Sequence, residues 1–125
     1  MKKAIIGCEE WLSIKDLNIP IIKARIDSGA KTSSIQANNI KKIIRNGETW
    51  VIFDVCPIQD NSSLNVSCES KVIDIRIIRS STGESQKRYV IKTNICIGQI
   101  IFEVELTLAE RDGMEYRMLL GREAL

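Results

Sequence analysis

The sequence has 125 residues, of which 44% are hydrophobic and 27% are charged, and its formal net charge is +2. These values are typical of an ordinary globular domain and argue against a disordered chain and against a dedicated nucleic-acid binder. Charged residues recur too often to leave the roughly 20 consecutive apolar residues that a membrane-spanning helix needs. We therefore expect residues 1–125 to form a single cytoplasmic domain that binds neither nucleic acid nor a membrane.

The residue pattern predicts strands along most of the chain. Isoleucine occupies 22 positions, and β-branched side chains favour strands. Alternating apolar and polar residues place strands at 3–14, 21–26, 33–37, 40–45, 49–55, 71–79, 86–95, 100–108 and 118–120. Residues 71–95 are expected to form a long hairpin with its tip near 80–85, and only residues 121–125 have a helical pattern. The predicted fold is all-β, a small closed or nearly closed barrel.

Histidine is absent from the sequence, and this removes several kinds of chemistry. The chain alone cannot build a Ser-His-Asp triad, a Cys-His pair or a zinc site with histidine ligands. The four cysteines, Cys8, Cys56, Cys68 and Cys96, are too far apart to form a Cys-x-x-Cys element. We expect them to be small buried residues in a reducing compartment, and we predict no metal site and no cofactor.

Two segments suggest chemistry as well as structure. In the first, an apolar strand runs directly into Asp27-Ser28-Gly29-Ala30, which places a carboxylate at a strand end beside a glycine. In the second, the apolar run Met118-Leu119-Leu120 ends in Gly121-Arg122. An Asp-Ser-Gly sequence alone is a common turn. Together with a long hairpin and a late hydrophobic-hydrophobic-Gly segment, however, it resembles the layout of a retroviral-type aspartic protease.

Longer stretches resemble one bacterial family more closely. These stretches are residues 7–11, 24–34 and 118–125, and the hairpin residues 79–83 and 88–93 are similar to the flap of that family. The family is that of the RimB-like retropepsin-like aspartic endopeptidases, once labelled ATP-dependent zinc proteases. The resemblance implies an acid-protease fold and an endopeptidase that acts on acidic or glutamylated protein tails, such as those of ribosomal protein S6. It also implies a functional link to an ATP-grasp glutamate ligase.

The sequence departs from the family pattern at three points. Gln36 stands where relatives often have histidine, so the old zinc label has no histidine ligand to support it here. Ser28 replaces the commoner threonine but keeps a hydroxyl group. Relatives usually continue with more helix and a terminal strand beyond the segment that here ends at Leu125.

The chain holds one Asp-Ser-Gly sequence, whereas aspartic proteolysis needs two carboxylates about 3 Å apart that share one proton. The second carboxylate must then come from another chain. A twofold dimer would supply it, because the same patch of surface meets its own copy and places Asp27 beside the Asp27 of its partner. We therefore predict a homodimer in which Asp27 is the catalytic residue.

The other candidate site residues are assigned by position. The active-site loop comprises Ser28, Gly29, Ala30, Lys31 and Thr32. In this loop Ser28 would donate hydrogen bonds across the dimer axis, while Gly29 and Ala30 leave room for water and substrate. Residues expected to support the loop from beneath are Leu119, Leu120, Gly121 and Arg122. The flap, expected to fold over the substrate and exclude water, comprises Arg79, Ser80, Ser81, Thr82 and Gly83.

Basic residues suggest that the substrate is acidic. Lys31 follows Asp-Ser-Gly-Ala at a point where retroviral relatives place acidic residues, and residues 71–92 contain six basic residues against two acidic ones. The predicted flap carries Arg76, Arg79, Lys87 and Arg88, although strand alternation prevents Lys87 and Arg88 from both pointing inward. Cations around a cleft would attract and hold glutamate-rich segments. The alternative is that these side chains only solubilise the hairpin.

Two other functions stay open at this stage. A catalytically silent module with the same fold could bind acidic peptides without cutting them. A metal-dependent peptidase would match the old family label, although the ligand inventory gives it little support. Two Asp27 carboxylates within hydrogen-bonding distance would distinguish the protease from the binding module.

Overall fold

The computed structural model describes residues 9–27, 31–57, 65–79, 83–110, 117–121 and 123. In these ranges the chain forms ten strands and a 3-10 helix at Lys15–Leu17. The strands are β1 (Glu9–Ile14), β2 (Ile19–Ile26), β3 (Ser33–Gln36), β4 (Asn38–Arg45), β5 (Glu48–Val55), β6 (Val66–Lys71), β7 (Asp74–Arg79), β8 (Ser85–Ile97), β9 (Ile100–Ala109) and β10 (Met118–Leu120). The predicted all-β fold is thus confirmed. Among the described residues, no helix is long and apolar enough to cross a membrane.

Six of the described strands close into a barrel. Their order is β1-β2-β10-β3-β9-β8, and β8 pairs back to β1 through Cys96 and Ser13. Closing the sheet removes its unpaired edges, as in other small barrels. The interior is filled by large apolar side chains that are almost fully buried, among them Ile14, Ile22, Ile35, Ile91, Leu106 and Met118. The predicted closed barrel is therefore confirmed.

Strand β10 is the element that determines the topology. It lies between β2 and β3, parallel to β2 and antiparallel to β3, so that Met118 is opposite both Ala24 and Ile35. Strand β3 in turn pairs in parallel with β9. Near its C-terminus the chain therefore returns to lie against the strand that ends at Asp27.

The β7–β8 hairpin extends from one side of the barrel sheet. Its strands pair antiparallel from Asp74 opposite Val90 to Arg79 opposite Ser85, which confirms the predicted hairpin. The prediction of one strand over residues 71–79 was wrong. The backbone N–H of Val72 donates to Thr49 on β5 at 3.0 Å, while that of Ile73 donates to Val90 on β8 at 2.9 Å. The chain therefore leaves one sheet and enters the other between these two residues.

The second sheet is a three-stranded layer in the order β4-β5-β6. Its first turn contains Asn46 at φ 53° and Gly47 at φ 79°, the positive pair that a tight hairpin turn requires and that Asn-Gly supplies at low cost. Val51, Phe53 and Val55 on β5 are fully buried and join the same apolar cluster as the barrel interior. The sheet is therefore packed against the barrel. The sequence analysis did not predict its third strand, β6.

The cysteines differ in burial. Cys68 on β6 is buried, and its thiol donates to the Leu17 carbonyl at 3.4 Å. Burial, and to a smaller extent the charge of Asp54, raises the pKa of the Cys68 thiol to about 12. The thiol therefore stays protonated near neutral pH and acts as a packing residue, as predicted. Cys56 and Cys96 are half-buried, and Cys8 lies outside the described residues.

Candidate active site

Asp27 directly follows the last residue of β2, where this strand and β10 end side by side. Its backbone N–H donates a hydrogen bond to the Leu120 carbonyl at 2.9 Å, which continues the parallel ladder in which Leu120 is opposite Ile26. The Asp27 side chain is half-buried. Because Ala24, Met118 and Leu120 are fully buried in the barrel, the core itself fixes where the backbone of Asp27 lies.

The far end of the loop that follows Asp27 is fixed by Ser33, the first residue of β3. Ser33 is only 3% exposed, and its Oγ accepts the backbone N–H of Gly121 at 3.0 Å. Its carbonyl accepts the hydroxyl of Thr107 on β9 at 3.3 Å. Between these anchors the Lys31 carbonyl accepts the N–H of Glu123 at 3.2 Å. The loop is thus held to the C-terminal segment at its beginning, near its middle and at its end.

A second polar contact fixes the point where β10 begins. Gln36 is 4% exposed, and its Oε1 accepts a hydrogen bond from Nη1 of Arg117 at 2.9 Å. The Gln36 backbone N–H donates to the Arg117 carbonyl at 2.8 Å. Gln36 therefore has a structural role, because it joins the end of β3 to the residue before β10.

The predicted loop and support residues lie as follows. Lys31 is exposed, Thr32 and Leu119 are half-buried, and Leu120 and Gly121 are buried. Ser28, Gly29, Ala30 and Arg122 lie outside the described residues, as do the last two residues of the predicted C-terminal helix start, Ala124 and Leu125. Among the residues that the structure does describe, no group of three or more Cys, Asp and Glu side chains could hold a metal ion.

Two residues of the predicted flap, Arg79 and Gly83, lie at the described end of the β7–β8 hairpin. Arg79 is the last residue of β7 and is exposed, and Gly83 is exposed with φ 90°. That backbone conformation favours glycine over any other residue. Ser80, Ser81 and Thr82 lie outside the described residues.

Strand alternation gives the hairpin two different faces. Its inner face is continuous with the barrel interior, because Ile91 belongs to the core cluster and Tyr89 packs against it. This face carries Ile75, Ile77, Arg79, Lys87 and Tyr89. Its outer face carries Asp74, Arg76, Ile78, Gln86 and Arg88. On the outer face Arg76 forms ion pairs with Asp74 at 3.1 Å and with Glu105 at 2.8 Å. Arg79 and Lys87 are therefore the hairpin cations that share a face with exposed apolar surface, since Ile75 is 46% and Ile77 is 64% exposed.

Sequence reasoning missed Ser33, the residue that connects the loop to Gly121. A signal was available, since strand alternation puts Ser33 on the same inward face as Ile35. A hydroxyl group in an apolar row requires a hydrogen-bond partner. The identity of that partner depends on β10, which is remote in sequence.

One family model matches nearly the whole chain. The model of the RimB-like family, described as retropepsin-like aspartic endopeptidase RimB, matches residues 5–125. The crystal structure of a protein of unknown function from Legionella pneumophila superposes with a TM-score of 0.76 at 29% identity, covering 94% of this chain and 83% of that one.

Curated relatives have a different name. A probable alpha-L-glutamate ligase of Shewanella pealeana is 58% identical over 98% of this chain, and one of Desulfotalea psychrophila is 53% identical over the same share. The matched region makes up 27% and 26% of those two proteins. The chain thus spans about a quarter of the length of the curated relatives it matches.

Removing the Ser33 hydroxyl tests the anchoring of the loop. Ser33→Ala leaves the buried N–H of Gly121 without its acceptor, and such a loss costs about 1–3 kcal/mol. We expect the free energy of unfolding, measured with denaturant, to fall by that amount. Ser34→Ala is the matched control, because Ser34 is half-buried. Equal stability of the two variants would show that the Ser33–Gly121 contact does not hold the loop.

Proposed function

This chain belongs to the RimB-like family of retropepsin-like aspartic endopeptidases, and from that premise we propose that it is an aspartic endopeptidase active as a homodimer. The observation that carries the proposal is the position of Asp27. Its backbone is held at the paired ends of β2 and β10, and the sequence contains a single Asp-Ser-Gly. Each chain therefore supplies half of a carboxylate pair, and two chains supply the whole.

The chemistry follows from the proximity of the two carboxyl groups. At about 3 Å apart they cannot both ionise, so they share one proton. The ionised Asp27 takes a proton from a water molecule, whose oxygen attacks the peptide carbonyl carbon. The protonated Asp27 of the other chain gives its proton to the carbonyl oxygen. The C–N bond then breaks as the first carboxyl group returns its proton to the nitrogen, while the carboxylate of the other chain takes a proton from a hydroxyl of the diol intermediate, which becomes the new carboxyl group.

The anchored loop supports this role because such catalysis depends on position. Groups held in reactive geometry avoid the entropic cost of being brought together, whereas small misplacements are expensive. The contacts of Asp27 with Leu120 and of Ser33 with Gly121 join the two ends of the loop to β10 and to the residue that follows it. A rigid barrel of this kind is suited to hold a carboxylate at a fixed distance from a twofold axis.

The name of the curated relatives bears on the substrate. Those proteins are named probable alpha-L-glutamate ligases, and about three quarters of their length lies outside the matched region. The seven glycines of this chain are widely separated and form no glycine-rich loop of the kind that holds a phosphate. We place ligation in the remainder of those relatives. A peptidase in the same polypeptide as a glutamate ligase is suited to act on glutamylated protein tails.

The distribution of charge agrees with an acidic substrate. Lys31 in the loop and Arg79 at the end of β7 are both exposed. Neither forms an ion pair with any described residue. Exposed cations of this kind attract acidic peptides and bind them through charge-assisted hydrogen bonds. A dimer that bound such peptides without cutting them would instead be the silent binding module.

Replacement of the carboxyl group of Asp27 tests the mechanism. Asp27→Asn keeps the shape of the side chain but cannot exchange the proton, so cleavage of a glutamate-rich peptide should fall by roughly 10²–10⁴-fold. Asp54→Asn, the same change in the small sheet, should retain wild-type turnover. Cleavage should also be unaffected by a chelator. Near-normal activity of Asp27→Asn would refute the dyad, and inhibition by a chelator that zinc reverses would favour a metallopeptidase.

The need for two chains predicts a dependence on protein concentration. Specific activity should fall on dilution, because a single chain holds half of the dyad. Adding an excess of Asp27→Asn protein to dilute wild type should lower the activity further, since mixed dimers contain one carboxylate. Constant specific activity at a concentration where sizing detects only monomer would contradict the dimeric mechanism.

A further inference from the structure

A small cavity of about 280 Å³ lies where the β7–β8 hairpin leaves the barrel. It is lined by Ile40, Gln86, Lys87, Tyr89, Leu108 and Glu110. Ile40, Tyr89 and Leu108 provide an apolar wall, whereas Gln86, Lys87 and Glu110 provide polar groups. The cavity is therefore of mixed polarity, with one cation and one carboxylate in its lining.

Lys87 is positioned within this cavity. Its Nζ lies 5.8 Å from the centroid of the Tyr89 ring, within the range at which a cation is attracted to an aromatic face. No described carboxylate is within ion-pair distance of Lys87, including Glu110 on the same cavity wall. The ammonium group thus keeps its hydrogen-bonding capacity for a ligand.

The neighbouring cations are placed differently. Arg88, the next residue, belongs to the outer face, where its Nε donates to Oε1 of Gln86 at 2.8 Å. Arg76 is also on the outer face and is paired with Asp74 and Glu105. Strand alternation therefore separates Lys87, which lines the cavity, from Arg76 and Arg88, which do not, although Gln86 of the outer face is also among the lining residues.

We infer that this cavity is a subsite for a glutamate side chain of a peptide lying under the hairpin, with Lys87 as its specificity-determining residue. This inference rests on the proposed function, because it names a contact for the acidic substrate proposed above. The two methylene groups of glutamate pack against Ile40 and Leu108, and the carboxylate accepts a charge-assisted hydrogen bond from Lys87. The Glu110 carboxylate, which also lines the cavity, is an acceptor for a peptide N–H.

The experiment measures peptide binding without cleavage. The Asp27→Asn protein is titrated with a fluorescently labelled oligoglutamate peptide and with its oligoglutamine counterpart, and anisotropy gives the two dissociation constants. In that background Lys87→Gln should weaken binding of the glutamate peptide about 10-fold, because a hydrogen bond to a charged group is lost. Binding of the glutamine peptide should not change. Arg88→Gln should leave both constants unchanged, and Lys87→Arg should restore most of the preference.

Other results would overturn the inference. These are an equal loss with Arg88→Gln, an equal loss for both peptides, or no binding of the glutamate peptide by the parent protein. Circular dichroism melts of each variant separate misfolding from loss of the contact. Because binding does not require the carboxyl group of Asp27, the two proposals can fail separately. If the glutamate peptide binds selectively through Lys87 but the wild-type protein never cleaves it, the subsite stands and the peptidase is refuted. If the peptide is cleaved and replacement of Lys87 has no effect, the peptidase stands and the subsite is refuted.

Discussion

The hydrogen bond from the Asp27 N–H to the Leu120 carbonyl is the contact on which the site depends. It forms only if β10 lies beside β2 in one register, and that register is set by apolar burial. Met118 and Leu120 are fully buried, and a shift of one residue would turn both side chains to the opposite face of the sheet. The hydrophobic core thus determines where the backbone of Asp27 lies.

Buried polar contacts at both ends of β3 complete this arrangement. Ser33 binds Gly121 at one end and Gln36 binds Arg117 at the other. A buried polar group is costly unless it is paired, so these contacts strongly disfavour alternative registers of the same strands. Apolar packing therefore supplies the driving force for the barrel, and the polar pairs select one arrangement of β10 between its neighbours.

Much of this architecture can be predicted from the sequence, because alternating isoleucines are a local signal. The strands of the barrel and the hairpin follow from that signal. Strand β6 could not be predicted in this way, since Val66 and Cys68 are its only apolar residues. The break between Val72 and Ile73 is also invisible locally, because it reflects a change of hydrogen-bonding partner from β5 to β8.

The difference between local signals and contacts with remote segments also applies to the candidate site. Asp27 is recognisable from its own neighbours in the sequence, whereas the role of Ser33 depends on Gly121, which is remote in the chain. The sequence also shows several hairpin cations of similar appearance. Only the strand register separates Lys87, on the cavity wall, from Arg76, which is paired with Glu105.

The proposed peptidase requires two chains to bring their Asp27 carboxylates together, and a crystal structure of the dimer would show whether they do. We expect a twofold axis beside the ends of β2 and β10, with carboxylate oxygens of the two Asp27 side chains about 3 Å apart. A stable dimer whose Asp27 side chains face away from each other and lie beyond hydrogen-bonding distance would rule out the shared pair of carboxylates.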